Sequence, residues 1–176
     1  MTDNNDLKGL RGWLILVGIG VVIAPIRLAL ELMPLYYDIF TNGSFEVLTT
    51  PGSNAYHPMW APLIMFETVF NSLIILASCY LIYLYFSKHY LFPKVYIAII
   101  SLTLIFIPFD AWLLSYVMPD EPIFDAETTK QFVRTLVGAV IWVPYMLISQ
   151  RVKATFVEKR PNDASQQNTS SPATSS

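Results

Sequence analysis

The sequence is poor in charge, in cysteine and in catalytic signatures. Asp, Glu, Lys and Arg make up 14% of its 176 residues, where a soluble domain carries about 25%. The 11 basic and 13 acidic residues leave a net charge of −2. That balance gives no electrostatic attraction to nucleic acid. The one cysteine, Cys79, can form no intramolecular disulfide and no cysteine metal cluster. It is read as a small buried hydrophobe. No nucleophile elbow, zinc-protease helix, phosphate loop or dinucleotide fingerprint is present, so the reading is non-enzymatic, without cofactor or metal.

What the chain has is apolar length. Hydrophobic residues are 54% of the total, and four stretches at 12–33, 58–86, 95–117 and 132–149 are each long enough to cross a bilayer. Within them stand only five charges: Arg27, Glu31, Glu67, Asp110 and Arg134. This segregation excludes a soluble globular enzyme and a disordered chain. The expected fold is all-α, a four-helix transmembrane bundle, because a lipid-facing backbone must satisfy its own hydrogen bonds. The first stretch follows Lys8 and Arg11 as a signal peptide would, but about 20 apolar residues exceed a secretory core, so it is read as a retained helix. Residues 1–11 form a polar arm, 12–157 the membrane domain and 158–176 a cytoplasmic tail. The tail lacks bulky apolar residues and is expected to be disordered. The segments 34–57 and 118–131 are read as outer loops, and 87–94 as a tight inner turn.

Lysine and arginine set the orientation. Lys8, Arg11, Lys88, Lys94, Arg151, Lys153, Lys159 and Arg160 fall on one side. The other holds Lys130 beside Asp38, Glu46, Asp120, Glu121, Asp125 and Glu127. The positive-inside rule puts both termini in the cytoplasm. Trp13, Trp60, Tyr90 and Trp112 lie near span ends, where amphipathic rings settle.

Ionisable groups in a spanning helix are costly and are the first functional candidates. At 1.5 Å per residue, Arg27, Glu67 and Asp110 lie about 9–10 Å below the outer surface, and Glu31 and Arg134 about 3 Å below it. Glu67, Asn71 and Ser78 share one side of the second span, Arg27 and Glu31 one side of the first, and Asp110 and Thr103 one side of the third. These stripes are expected to face the bundle interior together. Pro25 and Pro108 sit inside spans near Arg27 and Asp110 and are expected to kink them. Pro62 falls in a first turn, where proline is tolerated. His57 sits at the outer mouth as a surface histidine. Arg151 to Phe156 reads as a basic, partly amphipathic extension lying against headgroups.

Several residues recur in a family pattern. Gly12-Trp13-Leu14 opens the first span, Phe66-Glu67 with Asn71 marks the second, and Phe92-Pro93-Lys94 precedes the third. The most specific piece is Trp142-Val143-Pro144-Tyr145, followed by Ser149, Arg151-Val152-Lys153 and Thr155-Phe156. Over residues 7–157 the chain resembles a bacterial integral-membrane family, the domain-of-unknown-function family twenty-five sixty-nine. Arg11 departs from the glycine common there. The resemblance implies a multi-pass protein of the bacterial inner membrane and brings no activity with it.

Two functions lead for these residues, ahead of a membrane enzyme acting on lipid or envelope substrates, for which only His57, Asp110 and Glu67 are on offer. The first is a small binding or transport module for an ion, a proton or a polar ligand, built on Arg27, Glu31, Glu67, Asn71, Asp110 and Arg134. Four helices are few for a carrier, so this reading implies a homo-oligomer. The second is a structural or accessory subunit of a larger membrane complex, in which the same charges pair only to fix helix register. The partners expected are the lipid bilayer and another membrane chain, with no nucleic acid.

Overall fold

A computed structural model describes residues 9–156. The expected disordered tail and most of the N-terminal arm lie outside the described residues. The elements are α1 (Trp13–Thr41), α2 (Ser44–Thr49), α3 (Trp60–Phe86), α4 (Phe92–Leu114), α5 (Ala126–Ile148) and α6 (Gln150–Thr155). The four long helices are apolar and long enough to cross a membrane, as the sequence predicts. α1 packs on α3, α3 on α4 and α4 on α5.

Two boundaries move outward from the sequence reading. α1 does not stop near Met33 but runs through Pro34 to Thr41, and α2 occupies part of the expected outer loop. At 1.5 Å per residue the 29 residues of α1 span about 43 Å, more than the hydrocarbon thickness of about 30 Å. α5 starts at Ala126 rather than near 132 because Asp125 caps it, accepting from Thr128 N at 2.7 Å. Pro25, Pro108 and Pro144 lie inside continuous helices.

Packing is concentrated at one end. The buried core joins Leu14, Val17 and Val21 of α1, Leu81, Leu84 and Tyr85 of α3, Phe92 of α4, Met146 of α5, and Val152 with Phe156 around α6. Its centre is a close approach of two helices. The Tyr85 hydroxyl donates to the Leu14 carbonyl at 2.7 Å, and the ring lies so near Gly18 that a Cβ there would stand 2.6 Å from Tyr85 Cζ. Phe92 stacks on Phe156 with centroids 4.4 Å apart, and Tyr85 meets Phe92 edge-on at 5.3 Å.

This end also explains the exit motif of the fourth span. Ser149 takes an extended backbone that ends α5, and its hydroxyl accepts from Val152 N at 3.4 Å to start α6. The short helix then tucks Val152, Thr155 and Phe156 under the bundle. Thr155 Oγ1 accepts from Gly9 N at 3.2 Å and donates to Gly9 O at 3.3 Å. The first and the last of the described residues therefore meet at the same end of the bundle.

Cys79 departs from expectation. It is exposed rather than buried, because it stands one position past Ser78, which does face the interior of α3.

Candidate functional site: a carboxyl pair between three helices

The helical period decides which charges meet. On α3 the buried positions Leu63, Ile74, Ser78, Leu81 and Tyr85 form one stripe. Glu67 and Asn71 fall on it at the same spacing, and both are partly buried. On α4, Asp110 stands between the buried Ile107 and Ala111. The two stripes face each other, so the Glu67 and Asp110 side chains come into contact. Asp110 Oδ1 is buried without a hydrogen-bond partner.

A third helix completes the group. Asn71 Nδ2 donates to the Tyr36 hydroxyl at 2.9 Å, and Tyr36 lies within electrostatic reach of both carboxyls and in side-chain contact with Thr68. Aromatic rings flank the pair. Phe70 and Phe106 stack with centroids 3.5 Å apart and planes 3° from parallel. Phe66 packs against Phe106 at 5.7 Å and edge-on to Phe109 at 6.1 Å.

The remaining candidates do not join this group. The interior stripe of α1 is Leu14, Gly18, Val21 and Pro25, all buried, continued by the partly buried Leu32, Tyr36 and Ile39. At about 100° per residue, Arg27 stands roughly 140° round the helix from that stripe. Its guanidinium pairs instead with Glu31 at 2.7 Å, with the two side chains 43% and 55% exposed. Arg134 is exposed on α5. The five intramembrane charges thus divide into an inward carboxyl pair and an outward set. The expectation of one converging cluster is corrected by the phase of α1: charge avoidance of lipid argued for an inward Arg27, and the small and apolar residues of the stripe took the inward face. His57 turns back on its own loop, with Nδ1 accepting from Met59 N at 3.2 Å.

Tyr36 is a site residue absent from the sequence expectation, in which 34–57 is an outer loop; the structure places it on α1. The signal was present in the run Leu32, Tyr36, Ile39, which continues the α1 stripe at spacings of four and three.

The group offers oxygen ligands and one amide, with no ammonium or guanidinium acting on either carboxyl among the described residues. Such a set suits a proton or a small hard cation. A family model described as "Protein of unknown function (DUF2569)" matches residues 7–157. Comparison with curated proteins and comparison with solved structures each return no match.

Proposed function

The chain belongs to the DUF2569 family of proteins of unknown function, and from that premise we propose that its membrane domain holds a proton or a small cation at the Glu67–Asp110 pair. Charge balance carries the reading. Two ionised carboxyls in contact repel, and among the described residues no basic group beside them compensates. One proton, or one cation between the oxygens, resolves the conflict. Tyr36 of α1, held by Asn71 of α3, then faces the pair, and the stacked Phe70 and Phe106 rings hold α3 against α4. The proposed orientation keeps both termini in the cytoplasm of a bacterial inner membrane, with the pair in the outer half. The reading assigns no enzymatic chemistry.

The test uses the full chain in vesicles that enclose a pH-sensitive dye. Wild-type protein is expected to move protons when a sodium or potassium gradient is imposed. Glu67→Gln and Asp110→Asn, inserted and folded normally, are expected to abolish that movement. Infrared spectroscopy of the same samples should show a protonated-carboxyl band in the wild type, or its appearance on cation removal, shifted in each single variant and absent when both substitutions are combined. Variants that transport and absorb like the wild type would refute the proposal. The accessory reading is favoured by a different observation, the charge left on the outside of α1 and α5. A stoichiometric second protein co-purifying in mild detergent through that face would support it.

A further inference from the structure

The outward charges form a pattern of their own. Arg27 on α1 lies within electrostatic reach of Glu127 on α5, and Glu31 on α1 within reach of Lys130 and Arg134 on α5. Two ion pairs form inside the separate helices, Arg27 with Glu31 at 2.7 Å and Lys130 with Glu127 at 3.3 Å. No ion pair joins the two helices among the described residues, and Arg134 has no hydrogen bond or ion pair there. The seam therefore carries three cations against two carboxylates.

Its shape is amphiphilic. The inner ends of α1 and α5 meet where Trp13 packs edge-on to Trp142 at 6.3 Å. Farther out along α1, a groove of about 340 Å³ is lined by Ile23, Ile26, Leu30, Arg27 and Glu31. It has an apolar floor and a charged rim. Its apolar residues stand more than half exposed, on the face of α1 turned away from α3. In a membrane the medium at that face is lipid.

We infer that the outer α1–α5 seam is a lateral binding site for one anionic phospholipid, whose headgroup phosphate engages Arg134 and the Arg27–Glu31 rim while an acyl chain lies along Ile23, Ile26 and Leu30. Charge selects this occupant. An anionic headgroup neutralises the single excess cation, and a phosphate matches the guanidinium fork. A zwitterionic headgroup brings its own cation and leaves the excess in place. A second copy seated symmetrically on the seam would set two positive faces against each other, because a two-fold interface pairs a patch with itself. The site is separate from the Glu67–Asp110 pair and does not depend on its function.

Native mass spectrometry of the delipidated full chain tests this, with phosphatidylglycerol and phosphatidylcholine of matched chains as probes. The wild type should retain one phosphatidylglycerol in preference to phosphatidylcholine. Arg134→Gln should weaken that preference about tenfold, the loss of one charge-assisted contact. Arg134→Lys keeps the charge without the fork and should fall between. Glu31→Gln removes an acid from the rim and should strengthen retention, a gain that misfolding would not produce. Arg151→Gln, at the opposite end of the bundle, should leave the tight lipid in place. Three results would overturn the inference: unchanged retention in both Arg134→Gln and Glu31→Gln, displacement of the lipid by an equal concentration of inorganic phosphate, or a wild-type dimer that Arg134→Gln dissociates.

Discussion

Replacing Gly18 by alanine should separate α1 from α3 at the tightest point of the core. In a helix the exchange alone is favourable by about 1 kcal/mol, because glycine is the poorer helix former. The surroundings reverse the sign. The new Cβ would stand 2.6 Å from Tyr85 Cζ and 2.8 Å from Cε1, with the hydroxyl nearer still. The ring is buried against Phe92 and Phe156 and its hydroxyl is held by the Leu14 carbonyl, so a retreat toward the open cavity beside Gly18 and Ile19 must break that bond. Overpacking of this kind costs about 1–3 kcal/mol, and a lengthened hydroxyl bond adds about 0.5–1.5 kcal/mol. The net expectation is a loss of about 0.5–3.5 kcal/mol. Tyr85→Phe alone removes only the hydroxyl bond and should cost about 0.5–1.5 kcal/mol. Because the hydroxyl is the closest atom to the new methyl, Gly18→Ala should be milder in the Tyr85→Phe background, a coupling that a double-mutant cycle isolates. Reversible unfolding by SDS in mixed micelles would report all four free energies. A neutral or stabilising Gly18→Ala, or strictly additive effects of the two changes, would refute the close approach.

Thr155→Val keeps the side-chain shape but removes both bonds to Gly9, and should cost about 1 kcal/mol in the same unfolding assay; an unchanged midpoint would show that the tie between the two ends is not made. Asp125 lies outside the spans, and its carboxyl is held below the usual range by hydrogen bonds from the Thr128 side chain and backbone. A carboxyl with a folded value below its unfolded one stabilises above the unfolded value and stops doing so as pH falls through the folded one. Protection of the first-turn amides of α5, measured as exchange relative to the intrinsic rate at each pH, should therefore fall as pH drops below about 4, and Asp125→Ala should show low protection throughout with no such step. Reporter fusions at residue 1 and at residue 176 should both read as cytoplasmic, and opposite readings would overturn the proposed orientation.

Four spans, their approximate limits and their helical state were legible because apolar length and backbone hydrogen bonding leave few alternatives. The inward face of α3 was legible too, since Glu67, Asn71 and Ser78 recur at helical spacing. The face of α1 was misjudged at Arg27. An i, i+4 pair with Glu31 lets two opposite charges satisfy one another on the outside, and the stripe from Leu14 to Pro25 carried the truer phase. The outer boundary of α1 was misplaced at Pro34, since proline inside a membrane helix need not end it. The contact between Gly18 and Tyr85 was not visible from either residue alone, because it depends on how two distant turns are brought together. The exit motif of the fourth span was recognised as a pattern, while its cause, a capped break that folds the last residues beneath the bundle, needed the three-dimensional arrangement.

The tie between Gly9 and Thr155 crosses 146 positions of sequence. Synthesis runs from the N-terminus, so that tie cannot close until residue 155 has left the ribosome. Until then Tyr85 and Phe92 await their last aromatic neighbour. A product truncated ahead of Ser149 leaves this patch uncovered, and proteases that survey unfinished chains thereby have a surface the completed protein conceals.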